Sequence, residues 1–314
     1  MATTASTLPQ MGDTLFLSDG GIETCLVFLD GIDLPYFAAF DLLKSPEGTA
    51  RLKAYYKPYI AIADEAGTGF ILEAPTWRAS PDWAAKLGHT PAALAELNRR
   101  GMALMAELRD EHESATLPMV ISGCVGPRGD GYRPDFLMSA EEARAYHGPQ
   151  IETYAREGAQ MISAITMTYP QEAIGIANAA AQVGLPVAVS FTTETNGLLP
   201  GGQTLKAAVE MVDAASDPVP AYYMINCAHP AHFEQALMTG EPWLARVGGI
   251  RANASMRSHE ELDNSSDLDA GDPDDLARRY AALRRSIPSL NVFGGCCGTD
   301  HRHIGAISRA CAGR

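Results

Sequence analysis

Asn291-Val292-Phe293-Gly294, running on into Gly295-Cys296-Cys297-Gly298, is a short apolar run that ends in glycine. It is the last of eight such runs. The others are Leu15–Asp19, Phe70–Ala74, Met119–Gly123, Met161–Thr166, Val187–Phe191, Tyr222–Asn226 and Val247–Arg251. Their length and β-branched content read as buried strands. Longer segments of helical period separate them, at 49–65, 91–113, 140–157, 171–183, 204–215, 231–238, 273–285 and 301–311. In the first of these, Leu52, Tyr55, Tyr56, Tyr59, Ile60 and Ala63 recur at the spacing of one helix face. Strand–helix alternation favours a parallel sheet, and eight repeats favour closure into a (β/α)8 TIM barrel over an open doubly wound sheet.

Start and stop signals agree with this division. Ser139 precedes Ala140-Glu141-Glu142, and Asp272-Pro273-Asp274-Asp275 places proline and acid where a helix begins. Gly67, Gly158 and Gly184 each stand just before the next strand. No linker, sequence repeat or low-complexity tract interrupts the pattern, so residues 1–314 read as one barrel domain. Ser258 to Asp274, acidic and polar, reads as a long exposed loop at the active-site face. No heptad or interface stripe indicates an oligomer.

The 314 residues carry a formal net charge of -14, a balance that disfavours phosphate backbones and anionic lipid as partners. Apolar residues at 46% and charged residues at 20% make a globular composition. Met1 to Gln10 is polar and lacks the basic and apolar regions of a secretory signal, and no run is long enough to span a bilayer. The expected compartment is the cytoplasm, where six cysteines point to metal or catalysis, or to small buried residues.

A barrel of this kind carries its site at the C-terminal ends of the strands. Strand one leads to Asp19-Gly20-Gly21-Ile22-Glu23-Thr24, strand two to Pro75-Thr76-Trp77, strand three to Cys124-Val125-Gly126-Pro127, strand six to Cys227, and strand eight to Cys296-Cys297. Only strand seven separates strands six and eight, so Cys227, Cys296 and Cys297 can converge. Three thiolates on one zinc leave an open position, the catalytic arrangement. Gly294-Gly295 and Gly298 permit the bend that adjacent ligands need. Cys124 competes for a ligand role, and His229, His301 and His303 lie near the thiols in sequence. A Cys296–Cys297 vicinal disulfide is the redox alternative. Cys25, Cys124 and Cys311 fit as small buried residues. Asp19 reads as a ligand, a base or a substrate anchor, or as the holder of the glycine turn that follows. Glu23 reads as an ammonium anchor or a cap. Trp77, Trp83 and Tyr169 can face a cation or pack under loops. There is no Gly-x-Gly-x-x-Gly after strand one, and Asp19-Gly20-Gly21 is too short a fingerprint for a dinucleotide.

Taken together, Asp19-Gly20-Gly21, Pro75-Thr76-Trp77-Arg78-Ala79-Ser80, Ser122-Gly123-Cys124-Val125-Gly126-Pro127, Asn226-Cys227 and Gly294-Gly295-Cys296-Cys297-Gly298-Thr299 resemble the homocysteine S-methyltransferase family, in its order and over essentially the whole chain. The resemblance implies a (β/α)8 barrel with one zinc on Cys227, Cys296 and Cys297. It also implies methyl transfer from a small donor to the thiol of homocysteine, giving methionine. The only reactive group beyond the protein's binding residues is then the metal-activated substrate thiolate. Strand-end position and the resemblance together assign Asp19, Gly20, Glu23, Thr76 and Asn226 to substrate contacts.

Two departures stand out. Where the family usually has Glu-Thr or Glu-Tyr at the end of strand four, this chain has Ile165-Thr166, which removes a carboxylate for the substrate amino group. The aromatic positions that cage a quaternary ammonium in the betaine-using branch fall on Arg78 and Thr166, so betaine fits poorly. No folate or cobalamin module is expected. S-methylmethionine or S-adenosylmethionine is the expected donor. The alternatives are the same zinc–thiolate chemistry on another thiol or selenol acceptor or methyl-sulfur donor, and a barrel that binds zinc without catalysis.

Overall fold

Alternate residues of each apolar run face opposite ways, and in this protein both faces are buried, which is why the strands read as continuous rather than alternating. The computed structural model describes residues 8–217 and 220–312. Of the polar start Met1 to Gln10, residues 1–7 lie outside the described residues.

The strands are β1 Phe16–Leu17, β2 Gly69–Glu73, β3 Met119–Val125, β4 Met161–Met167, β5 Val187–Phe191, β6 Tyr222–Asn226, β7 Val247–Ala252 and β8 Val292–Gly295. All pair in parallel, in sequence order, and β8 returns to β1 to close the barrel. The helices are α1 Ile22–Thr24, α2 Pro46–Ala66, α3 Pro81–Lys86, α4 Pro91–His112, α5 Ala140–Arg156, α6 Pro170–Gln182, α7 Leu205–Ala215, α8 Pro230–Leu237, α9 His259–Asp263, α10 Pro273–Ser286 and α11 His301–Cys311. Every strand and long helix expected from the sequence is present, with ends displaced by a few residues at most. β1 is shorter than expected because Ser18 and Asp19 pair only toward β8, through Ser18 N–H to Phe293 O and Gly295 N–H to Asp19 O.

Two cores follow from the alternation. Phe16, Ile71, Val120, Met161, Met224 and Val292 point into the barrel. Their neighbours Leu17, Phe70, Leu72, Ile121, Ile162 and Phe293 point out against the helices. The barrel floor is closed by the residues before β1. Leu8 packs into the inner core, and Gln10 donates to the Tyr222 hydroxyl at 3.3 Å. The Asn291 side-chain amide donates to the carbonyls of Gln10, Gly12 and Thr14.

The helix signals are realised as caps. Ser139 forms a reciprocal capping box with Glu142, Asp272 accepts from the Asp274 amide, and Gly67, Gly158 and Gly184 take positive φ. The acidic segment 258–274 is not plain loop. Ser258 and Glu261 cap α9 reciprocally, and the buried His259 ties that helix to the barrel. Among the described residues, no helix is long and apolar enough to cross a membrane.

Candidate metal and substrate site

Cys227 follows β6 in a left-handed conformation, with φ 55°, which a residue bearing a Cβ adopts only when its surroundings enforce it. Its amide donates to Arg251 O at 3.2 Å, and its carbonyl accepts from His259 Nε2 at 2.7 Å and Thr192 Oγ1 at 3.2 Å. This turn aims the thiol at the end of β8. There, Cys296 and Cys297 sit on a tight turn whose neighbouring backbones press in closely. A Cβ on Gly21 would meet Cys296 O at 2.4 Å, and one on Gly294 would meet Ser18 Oγ at 2.0 Å. The Asp19-Gly20-Gly21 turn therefore serves close approach to the cysteine turn, with Gly21 N–H donating to Thr299 O at 3.0 Å.

The sulfurs of Cys227, Cys296 and Cys297 lie within 4.8 Å of one another, and those of Cys227 and Cys297 are 3.6 Å apart. Ligands about 2.3 Å from a tetrahedral ion stand about 3.8 Å from each other, so this trio fits a thiophilic ion. All three are free thiols in this structure. Hydrogen bonds from Cys227 and Cys297 push the Cys296 thiol well below its usual range, with Arg251 assisting, while Cys227 and Cys297 are pushed up. Asn226 donates from Nδ2 toward Cys296 Sγ at 3.9 Å and also brackets Thr166, donating to its hydroxyl at 2.8 Å and accepting its amide at 2.9 Å. Tyr132, on the loop after β3, brings Oη to 3.1 Å from Cys227 Sγ and 3.6 Å from Cys297 Sγ, with its ring stacked on His259 at 3.9 Å.

The thiols open onto a cavity of about 490 Å³ at the C-terminal end of the strands. Asp19, Gly20 and Glu23 line it, as do Cys227, Cys296 and Cys297. Thr76 and Asn226 are fully buried behind its wall. Thr76 donates to Cys124 O at 3.0 Å and accepts from the Tyr154 hydroxyl at 2.8 Å, so its side chain is committed to the barrel. Ile165 and Thr166 both line the cavity, placing an alkyl group where a carboxylate was missed. The segment 258–274 supplies Leu262, Asp263, Ser265, Asp267 and Asp269 to the same wall.

The other candidates stand apart from the thiol trio. Cys124 lines the cavity where it meets the barrel interior and is pushed well up by burial, and Cys25 and Cys311 are buried too. His229 caps α8 through Nδ1, and the buried His303 pairs with Asp300. Trp77 lines the cavity, Trp83 stacks on Arg78, and Tyr169 anchors the loop before α5 by accepting the Met138 amide.

Sequence reasoning passed over three residues. Arg251 at the end of β7 donates to Asp19 at 2.7 Å, Glu73 at 3.1 Å and Gly295 O at 3.2 Å. Asp19 also accepts from Tyr55 at 3.0 Å. Asp19 thus holds an arginine, not the amides of its own glycine turn. Burial opposes the Arg251 charge, but Asp19 and Glu73 outweigh it and keep the group protonated. Burial pushes Glu73 up to about 7 despite Arg251. Glu73 and Arg251 were visible as charged residues in otherwise apolar strands, a rare placement unless paired. Tyr132 carried no signal, because it reaches the thiols from an irregular loop. Glu23, half-buried on the cavity wall, is pushed up to about 8, first by burial and then by Cys296 and Asp19.

The profile of the homocysteine S-methyltransferase family matches residues 16–311. Among solved structures, the chain is similar to the homocysteine methyltransferase MmuM from Escherichia coli in its metallated form. Identity is 21%, with 95% of this chain and 96% of that chain covered, at a TM-score of 0.71. For the oxidized form of the same protein the identity is 22%, the coverage 96% and 98%, and the TM-score 0.75. At these identities the likeness to MmuM is one of fold.

Proposed function

The chain belongs to the homocysteine S-methyltransferase family, and from that premise we propose that this S-methyltransferase moves a methyl group from a small sulfonium to the thiol of homocysteine, giving methionine. The observation that carries the reading is the convergence of three thiols on the wall of a cavity that is open on their far side.

Cys227, Cys296 and Cys297 would hold the metal, and three soft sulfur donors select zinc among common divalent ions. Zinc at such a site lowers the pKa of an added thiol, so that the acceptor is a thiolate near neutral pH. The protein's part is to orient and desolvate. Asn226 and the left-handed turn at Cys227 fix the donor set. Tyr132 and His259 form a stacked wall beside the sulfurs of Cys227 and Cys297. Ile165 adds apolar surface beside the reacting atoms. One C–S bond forms at the acceptor and one breaks at the donor. The donor's positive charge is lost as the acceptor's negative charge is lost, and the acceptor's thiol proton has already gone to solvent.

The cavity favours a cationic donor. Seven acids line it (Asp19, Glu23, Glu73, Asp130, Asp263, Asp267 and Asp269) against the two arginines Arg78 and Arg251. With low-dielectric walls such a lining concentrates cations. With Asp19 already bound by Arg251 and no acid at position 165, Glu23, close enough to Cys296 to feel its charge, is the acid placed to meet the homocysteine ammonium.

A second reading keeps the chemistry and changes the acceptor to another thiol or a selenol. The alkyl side chain of Ile165 favours it, because an acceptor without an amino group needs no acid there. Zinc-loaded protein should form methionine from homocysteine with S-methylmethionine or S-adenosylmethionine, and the Cys296→Ala variant should not. Transfer to a simple alkyl thiol, with none to homocysteine, would favour the second reading.

A further inference from the structure

Arg78 is the one charged side chain of the cavity wall with a guanidinium that the protein leaves poorly answered. It follows Trp77 after β2, and its guanidinium carbon stands over two indoles, 4.4 Å from the Trp77 ring centroid and 3.7 Å from the Trp83 ring centroid. Cation–π contact with two rings restrains the group on the wall. The side chain is 11% exposed, yet its Nε is buried without a hydrogen-bond partner. Its one ion pair among the described residues is with Asp130 at 3.8 Å, too long for a hydrogen bond. Burial depresses its pKa, so the fold bears a cost in holding the charge there. Arg251, in the same cavity, donates three hydrogen bonds. Glu23 feels the charge of both Cys296 and Arg78, which puts Arg78 on the same wall, at one remove from the thiols.

A rigid, half-satisfied guanidinium on a cavity wall presents the donor geometry that a carboxylate accepts. Resting on the methyl-transfer reading above, we propose that Arg78 binds the carboxylate of the methyl donor. The donor is then a sulfonium that carries a carboxylate, not a bare sulfonium. The acceptor sulfur belongs at the thiol trio and its ammonium at Glu23, so homocysteine's own carboxylate is the competing occupant of Arg78, and donor binding is therefore measured without homocysteine. A guanidinium repels a sulfonium that has no anionic group. One that carries a carboxylate gains a charge-assisted hydrogen bond, and the acids around the rest of the wall receive its cationic sulfur.

The test uses S-methylmethionine and its carboxamide, which differ only in the carboxylate. Binding to the zinc-loaded protein is read by tryptophan fluorescence, because Trp77 and Trp83 flank the site. Methyl transfer to homocysteine is read separately. The wild type should bind S-methylmethionine about tenfold or more tightly than the carboxamide, as expected for one charge-assisted hydrogen bond. Arg78→Met should erase that preference by weakening the carboxylate form alone. Equal binding of both compounds to the wild type overturns the proposal without need of the variant, so it stays testable even if Arg78→Met does not fold. If the binding preference is present but no methionine forms with any sulfonium, the Arg78 assignment stands and the methyl-transfer reading fails. Methionine made equally well from both compounds, with equal binding, has the opposite meaning.

Discussion

Two charged clusters share one cavity, and they are built on opposite terms. Asp19, Arg251 and Glu73 stand at the ends of β1, β7 and β2 and answer one another, with Tyr55 and the Gly295 carbonyl completing the set. Glu23 stands on α1 and Arg78 on the loop after β2. Arg78 has a 3.8 Å ion pair, and Glu23 is held near neutrality by burial. The first cluster is closed by the protein, so its work is to lock three strand ends and the cysteine turn. The second is left open, the state expected of groups whose partners arrive with a ligand. Both lie among strand-end acids, and a charge in the cavity is therefore not by itself a substrate contact.

The sharpest way to break the contrast is to open the closed cluster. Arg251→Met leaves two buried carboxylates without a cation, which costs about 3–5 kcal/mol when one partner of a buried set is removed. Thermal unfolding should show a midpoint lower by roughly 5–8 °C for a chain of this size. Adding Asp19→Asn and Glu73→Gln should recover part of the loss. A midpoint within a degree or two of wild type would mean that the three residues are not a unit.

The open cluster should respond in ligand terms and to pH. Glu23→Gln should raise KM for homocysteine about tenfold, the cost of one charge-assisted contact, with a well-folded protein. The folded pKa of Glu23, about 8, lies above its ordinary 4.5, so folding favours its protonated form. That contribution is fully present below pH 4.5 and is lost as pH rises toward 8. In metal-free protein, the wild type should therefore lose more thermal stability than Glu23→Gln between pH 5 and 9. Parallel pH profiles for the two proteins would show that Glu23 is not desolvated.

Tyr132→Phe tests the boundary between protein and ligand. The ring keeps its stack on His259 but loses the oxygen beside Cys227 and Cys297. Zinc retention against a competing chelator should weaken about fivefold or less, the scale of one hydrogen bond. A loss as large as that of a cysteine variant would make the phenol a ligand.

How much of this was legible depends on the range of the interaction. Buried parallel strands advertise themselves as apolar runs, so the barrel and its three thiols could be read from residues such as Val292-Phe293 and Cys296-Cys297. Thr76 and Asn226 also stand at strand ends, but the sequence does not say which way a strand-end side chain turns. Here Tyr154 and Thr166 capture them inside the wall. Arg251 and its carboxylates come from three distant parts of the chain, so nothing local announces their pairing. The segment 258–274 looked like loop because its polar composition masks a single capped turn, held by His259 on the Cys227 carbonyl.

The pairing of β1 with β8 has a consequence for how the protein comes to exist. Phe16 and Leu17 must find Val292 and Phe293 from the other end of the sequence, a closure of very high contact order. Two of the three thiols arrive with that last strand. A nascent chain emerging from the ribosome thus lacks all three thiols until Cys227 is made and presents that one without its partners until Cys296 follows, so capture of a metal by the trio would wait for the final stave. Any variant that delays closure would prolong an open-sided intermediate with unpaired strand edges, the species most prone to aggregate.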